Sequence, residues 1–277
     1  MKNRKSLFAM CCIMTTLLAS CSSGTKGSTG ALGTTGVFAD APVVGLTYAC
    51  GTQTGVTGTG GTFTCPGGST VTFSVGGITL CTEPAQPFMT PLSCAQATDP
   101  SANTSTPSVL AVAQFVLSIS TTPASSGVLT ITPNELQAAA GLTLNFSTAT
   151  DAQLLAAVDA INPGAPLIDA TTAENELIST VDTALAGNYA GTYSGGSSGT
   201  WTVTIASNGS VSGTSTDSKG NVTTVSGSLV TGITYSGSAD SASWTGTVDT
   251  SKTPDVFSGT WTNPAESANG TFTGTKQ

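Results

Sequence analysis

The chain has 277 residues, no histidine, 8% charged residues and 15 acidic against 7 basic side chains, for a formal net charge of −8. The missing imidazole excludes Ser–His–Asp and Cys–His nucleophilic systems and His-based metal sites, and the acidic balance argues against nucleic acid and anionic headgroups as partners. Charge this sparse, against about 25% in ordinary domains, leaves Ser, Thr and Gly to supply polarity, a composition suited to strand faces and tight turns and unlike high-charge disorder.

The first predicted element is a secretory signal over residues 1–20, with a basic start (Lys2, Arg4, Lys5) and an apolar run from Leu7 to Leu18. The run is shorter than the about 20 apolar residues a spanning helix needs. Leu18-Ala19-Ser20-Cys21 resembles a bacterial lipobox. That resemblance implies cleavage before Cys21 and diacylglyceryl and palmitate modification there, with the membrane as a partner through the lipid. Cleavage would leave 4 basic and 15 acidic residues, a net −11. Ser22, with no Asp at that position, resembles the sorting signal of Gram-negative outer-membrane lipoproteins. Residues 22–36 have flexible-linker composition and, behind the anchor at Cys21, would hold the next domain roughly 20 Å from the lipid.

Four cysteines follow: Cys50, Cys65, Cys81 and Cys94. An even count in an exported chain favours disulfides. Three pairings are possible, and Cys50–Cys65 with Cys81–Cys94 is favoured because both close short local loops. Zinc, the competing use, finds neither His nor a Cys-x-x-Cys spacing, so no metal and no cofactor is expected.

Residues 37–99 read as a β-rich module of short runs between Gly-rich turns, namely Val43–Tyr48, Gly61–Thr64, Thr70–Val75 and Ile78–Leu80. Val71, Phe73 and Val75 alternate with Thr70, Thr72 and Ser74, which predicts one buried and one wet face. Asp40-Ala41-Pro42-Val43-x-Gly45-Leu46-x-Tyr48, Gly55-x-Thr57, Gly61-x-Phe63 and Gly67-x-x-x-Val71-x-Phe73-x-x-Gly76 resemble a module of Gram-negative envelope lipoproteins and adhesin-like proteins of mostly unassigned function. The likeness runs on through Thr90-Pro91-Leu92 to about residue 186. Cys81 stands where such proteins tend to have Gly. Residues 118–126 lack their Asp-rich stretch, so no calcium site is carried over.

Residues 100–187 read as a helical segment packed with that module. Val109, Val112, Ala113, Val116 and Leu117 form an apolar stripe. Thr132-Pro133-Asn134-Glu135 and Thr150-Asp151-Ala152-Gln153 are capping boxes, the first opening a helix that Gly141 can close. Thr171 with Glu174 is read as the start of a last helix carrying Leu177, Ile178, Val181 and Leu185. These stripes read as core.

From residue 188 the period changes to two. Tyr189-Gly191-Tyr193, Trp201-Val203-Ile205, Val211-Gly213, Val225-Gly227-Leu229, Ile233-Tyr235-Gly237, Trp244-Gly246-Val248, Phe257-Gly259-Trp261 and Phe272-Gly274 share faces, predicting an eight-stranded antiparallel β barrel over 188–277, with a β-sandwich as the alternative. Gly beside bulky residues leaves room for rings inside a small barrel. Asn208-Gly209 signals a two-residue hairpin. The Trp-and-Gly style is similar to meander barrels of the avidin type, without a residue-by-residue match to a biotin site.

No catalytic constellation emerges. Lys219 sits in a predicted Asp217–Asn221 turn and reads as a solvated loop charge, and Asp151, Glu174 and Glu176 complement helix dipoles. No Gly-rich segment has a nucleotide-loop fingerprint. Trp201, Trp244 and Trp261 share faces with Val, Ile or Phe and read as core aromatics, with a ligand platform as the alternative. The expected function is therefore a non-enzymatic, lipid-anchored envelope protein that acts as a surface interaction or adhesion module toward a protein or glycan. The alternative is a small-molecule or glycan-binding lipoprotein.

Overall fold

The computed structural model describes residues 33–231, 233–250 and 252–277. The signal, Cys21 and the linker to residue 32 lie outside them. The fold is mainly β, with a disulfide-stapled head, a helical middle and a closed barrel.

The head contains β1 (Thr34–Phe38), β2 (Val43–Val44), β3 (Thr47–Cys50), β4 (Gln53–Val56), β5 (Thr62–Cys65), β6 (Thr70–Val75), β7 (Ile78–Pro84) and β8 (Phe88–Met89). They form a four-stranded sheet β4-β3-β6-β7 and a three-stranded sheet β5-β1-β8. As the alternation predicts, Val71, Phe73 and Val75 of β6 are buried. Thr34–Gly36, expected to end the linker, pair instead with Phe63–Cys65 of β5. The expected single run Val43–Tyr48 is split into β2 and β3 at Gly45, whose φ of +85° and close approach to the Ile131 carbonyl no side chain would tolerate.

Both favoured disulfides are present. Cys50–Cys65 joins the ends of β3 and β5 and Cys81–Cys94 ties β7 to the first helix, with Cα separations of 5.6 and 5.4 Å. The Cys50–Cys65 pair spans 15 residues. Replacing both of its cysteines by Ala should cost about 3 kcal/mol by the chain-entropy argument, measured by urea unfolding. Non-reducing peptide maps of the exported protein should show both bridges, and four free thiols there would contradict the pairing.

The helices are α1 (Pro91–Gln96), α2 (Pro107–Ile119), α3 (Pro133–Ala138), α4 (Asp151–Ile161) and α5 (Ala170–Leu185), with β9 (Leu129–Thr130) pairing in parallel with β2. Thr132 and Thr150 cap α3 and α4 through capping boxes, as expected. α3 closes at Ala139, before Gly141. The last helix opens at Asp169, whose carboxylate accepts from the Thr172 amide, not at Thr171. A shorter acidic side chain two residues upstream out-competes the box as the cap. α2 was expected to bury one stripe, but ten of its thirteen residues are buried, making it the central helix. Its buried Gln114 and Ser118 are satisfied by the backbone of Ile168.

Two apolar clusters result. One joins the head sheets to α2 and α4 through Phe38, Leu46, Phe73, Phe115, Leu154 and Val158. The other joins Leu92 and Val109 to the barrel. α5 serves both because Ala173, Leu177, Val181 and Leu185 recur every fourth residue on one face: Ala173 meets the head and the other three meet the barrel.

The barrel strands are β10 (Gly187–Gly195), β11 (Gly199–Ile205), β12 (Ser210–Asp217), β13 (Val222–Thr231), β14 (Thr234–Ala239), β15 (Ala242–Asp249), β16 (Val256–Asn263) and β17 (Ala268–Lys276). Each pairs antiparallel with its neighbour in sequence, and β17 closes on β10. The sandwich alternative is thereby excluded. The β11–β12 hairpin turns at residues 206–209, with the Ala206 amide bonded to the Ser210 carbonyl, so its loop is longer than the two residues expected. Gly209 takes the left-handed position and the Asn208 side chain accepts from the Ser210 amide. Thr200, Thr202, Thr204, Thr245 and Thr247 are exposed on the outer wall, where a lipid-facing barrel would need an apolar band. Among the described residues no helix is long and apolar enough to cross a membrane.

Candidate functional site

The glycines of the inner wall have a steric purpose. A Cβ on Gly227 would lie 2.4 Å from the Trp244 ring, one on Gly274 2.5 Å from Trp201, and one on Gly246 2.4 Å from Phe272. Glycine on one strand thus clears the volume that a ring from another strand fills. The rings meet edge to face. Phe257 lies 5.8 Å from Trp201, 5.9 Å from Trp244 and 5.3 Å from Phe272, and Tyr193 lies 6.0 Å from Trp261.

The two barrel ends differ. The 206–209 loop, the first residues of β10, β14 and β16 and the last of β13, β15 and β17 lie at the end where α5 enters. There Leu177, Val181 and Leu185 pack against Tyr189, Ile205, Val211, Tyr235 and Val248. The Tyr189 hydroxyl donates to the Leu185 carbonyl and the Lys276 ammonium to the Ala184 carbonyl. This end is plugged. The opposite end, bounded by loops 196–198, 218–221, 240–241 and 264–267, holds a cavity of about 220 Å³ lined by Tyr193, Trp201, Trp244, Phe257, Trp261 and Phe272, with Ser215, Asp217, Thr223, Asp240 and Glu266 also on its wall and rim. That is room for one small molecule.

All three tryptophans therefore meet at one place. Trp201 and Trp244 are buried and Trp261 is partly exposed. The sequence reading of them as core holds for the burial of Trp201 and Trp244 and not for the partly exposed Trp261, and it missed their common position, because the rings that fill the barrel also form the cavity's lining. Trp201 donates its indole N–H to the Thr192 carbonyl at 3.1 Å, whereas the buried indole nitrogens of Trp244 and Trp261 have no protein partner. Trp201→Ala and Trp244→Ala should each cost about 3–5 kcal/mol.

Three buried carboxyls escaped sequence reasoning. Asp40 is fully buried beneath α5 with both oxygens unpartnered, and burial, with Glu176 adding to it, pushes its carboxyl up to about 8. Glu83 is pushed up to about 7 by burial, against the hydroxyl of Ser93, which donates to it at 2.9 Å. Asp182 on α5 is pushed up to about 6 by burial at the plugged end. Asp40 heads the motif quoted above and sits inside the apolar run Phe38-Ala39-Asp40-Ala41-Pro42-Val43, a signal that Glu83 and Asp182 lack. The Cys81 and Cys94 sulfurs and a Glu83 oxygen lie within 4.8 Å of one another. Both sulfurs belong to the disulfide, which leaves no thiolate there to ligate a metal. Lys219 is exposed in its turn, where the Asp217 carboxylate accepts from the Lys219 and Asn221 amides, as expected of a loop charge.

Together these features define an eight-stranded up-and-down barrel, plugged by a helix at one end and open onto an aromatic cavity at the other. No protein-family model, curated protein or solved structure matches the chain.

Proposed function

We propose that this is a lipid-anchored envelope protein, without catalytic activity, that captures a small ligand in the open end of its barrel. The observation that carries the reading is the convergence of Trp201, Trp244 and Trp261 on a cavity at the end not plugged by α5. Concave, largely aromatic sites with a few polar groups are where small ligands bind. Surface adhesion has less support. Among the described residues the large exposed apolar side chains Val56, Leu155, Val222 and Val230 lie on β4, α4 and near the two ends of β13, and do not form one patch. Placement in the envelope rests on the lipobox and on the head motifs quoted above.

Two experiments test this. Intact mass of membrane-extracted protein should show an acylated N-terminal Cys21, and Cys21→Ser should release a soluble or unprocessed form, since two or three acyl chains anchor durably where one does not. An unmodified Cys21 in native membranes would contradict the anchor. For capture, residues 22–277, which retain the whole described unit, are titrated with methyl β-glucoside, choline and 3,3-dimethylbutan-1-ol while tryptophan emission and melting temperature are followed. At least one probe should shift both. Trp261→Ala, at the partly exposed rim, should melt within about 3 °C of wild type and lose the emission change. A Trp261→Ala protein that responds as wild type, or a wild type that responds to none, would overturn capture at this end.

A further inference from the structure

Resting on that reading, we propose that the ligand of the barrel mouth is a small organic cation, an alkylammonium group seated among the indole and phenyl rings. Three observations converge. Six aromatic side chains line the cavity beside Val203 and Val225, and ring faces carry the negative side of a quadrupole that attracts a cation and is indifferent to a neutral group of the same shape. Every charged side chain on the cavity wall is a carboxylate: Asp217, Asp240 and Glu266.

The described cations are placed elsewhere. Lys252 pairs with Asp249 and Lys276 with Asp255, both at the plugged end. Lys219 alone stands near the open end, exposed at the tip of the 217–221 turn and outside the cavity lining, where it offsets part of the Asp217 charge. The field at the mouth is therefore negative, which concentrates cations and repels carboxylates and phosphates. Among the rings themselves no indole donor is free for a ligand: the nitrogens of Trp244 and Trp261 are inaccessible, and Trp201 is already bonded to Thr192.

The test uses three molecules of nearly one shape: choline, the neutral 3,3-dimethylbutan-1-ol and the anionic 3,3-dimethylbutanoate, each titrated into residues 22–277 with tryptophan emission as readout. Choline should bind about tenfold tighter than the alcohol, and the butanoate weakest. Raising NaCl from 20 to 500 mM should weaken choline about threefold, because the rim carboxylates are solvated and screened. Asp240→Asn combined with Glu266→Gln should lower the choline-to-alcohol ratio from about ten to about three. Asn suits the left-handed backbone at position 240 (φ 53°), and an unchanged melting temperature confirms the fold. If the alcohol binds as tightly as choline or tighter, charge is not read, and the inference falls while capture stands. If none of the three changes emission, the inference falls, and the capture reading falls with it where methyl β-glucoside also leaves emission unchanged.

Discussion

Phe257→Ala is expected to destabilise the protein by about 5 kcal/mol and to lower its melting temperature by roughly 10–20 °C. Phe257 is 2% exposed and is the hub of the barrel's ring cluster, touching Tyr189, Trp201, Tyr235, Trp244 and Phe272 with centroids 5.3 to 5.9 Å away. Truncation removes the buried area of a phenyl ring and leaves a cavity that flanking glycines cannot collapse to fill, since Gly246 and Gly259 carry no side chain to move. The edge-to-face contacts add to the loss, each contributing about 0.5–1.5 kcal/mol beyond area. Phe257→Leu keeps most of the volume and should cost less than about 2 kcal/mol. Urea unfolding of both variants decides the matter: a loss below about 2 kcal/mol for Ala would mean that the ring cluster does not organise the barrel.

The second large effect is on pH dependence. Asp40, Glu83 and Asp182 have ordinary values of 3.8, 4.5 and 3.8, and burial raises them to about 8, 7 and 6. The folded state therefore binds more protons than the unfolded state between about pH 4 and 8. Stability from these groups is fully present below their unfolded values and is lost as pH rises through the folded ones. The exposed Asp99 and Asp169 and the half-buried Asp217 work oppositely. Hydrogen bonds from Ser101, Thr172 and Asn221 lower their values, so their contribution is lost as pH falls below about 4. Melting temperature should accordingly peak near pH 4–5 and decline toward pH 8, by the equivalent of about 2–4 kcal/mol. Asp40→Asn, which cannot ionise, should be more stable than wild type at pH 8 and should flatten the decline. A wild type more stable at pH 8 than at pH 5, or an Asp40→Asn protein with an unchanged slope, would contradict this account.

Much of the architecture was legible because its determinants are local. Period-two faces of Trp, Val and Gly from Tyr189 to Gly274 define eight strands, and the Gly positions on them anticipate ring packing. The spacing of Cys50, Cys65, Cys81 and Cys94 favours the observed bridges. Less was legible where tertiary context decides. β1, β4, β8 and β9 have little alternation: Thr34–Phe38 becomes a strand only because Phe63–Cys65 lies beside it. The central position of α2 depends on what surrounds it, not on its own apolar stripe. The cavity was hidden for a similar reason. Trp201, Trp244 and Trp261 belong to β11, β15 and β16, and only closure of the barrel, with α5 entering at the other end, places all three at one open mouth. Alternation shows that a ring faces inward, but not whether the interior beyond it is filled.

The central claim, that the open end of the barrel receives the ligand, is tested most directly by the indole N–H resonances of residues 22–277 labelled with 15N. The chain has three tryptophans, and all three line the cavity, so three cross-peaks report on one site. On addition of choline, 3,3-dimethylbutan-1-ol and methyl β-glucoside in turn, at least one should move the Trp244 and Trp261 peaks saturably, while the amides of Gly209 and Ile233 at the plugged end and of Phe38 and Phe73 in the head keep their positions. Indole peaks that stay fixed with all three, or shifts concentrated in the head, would contradict it.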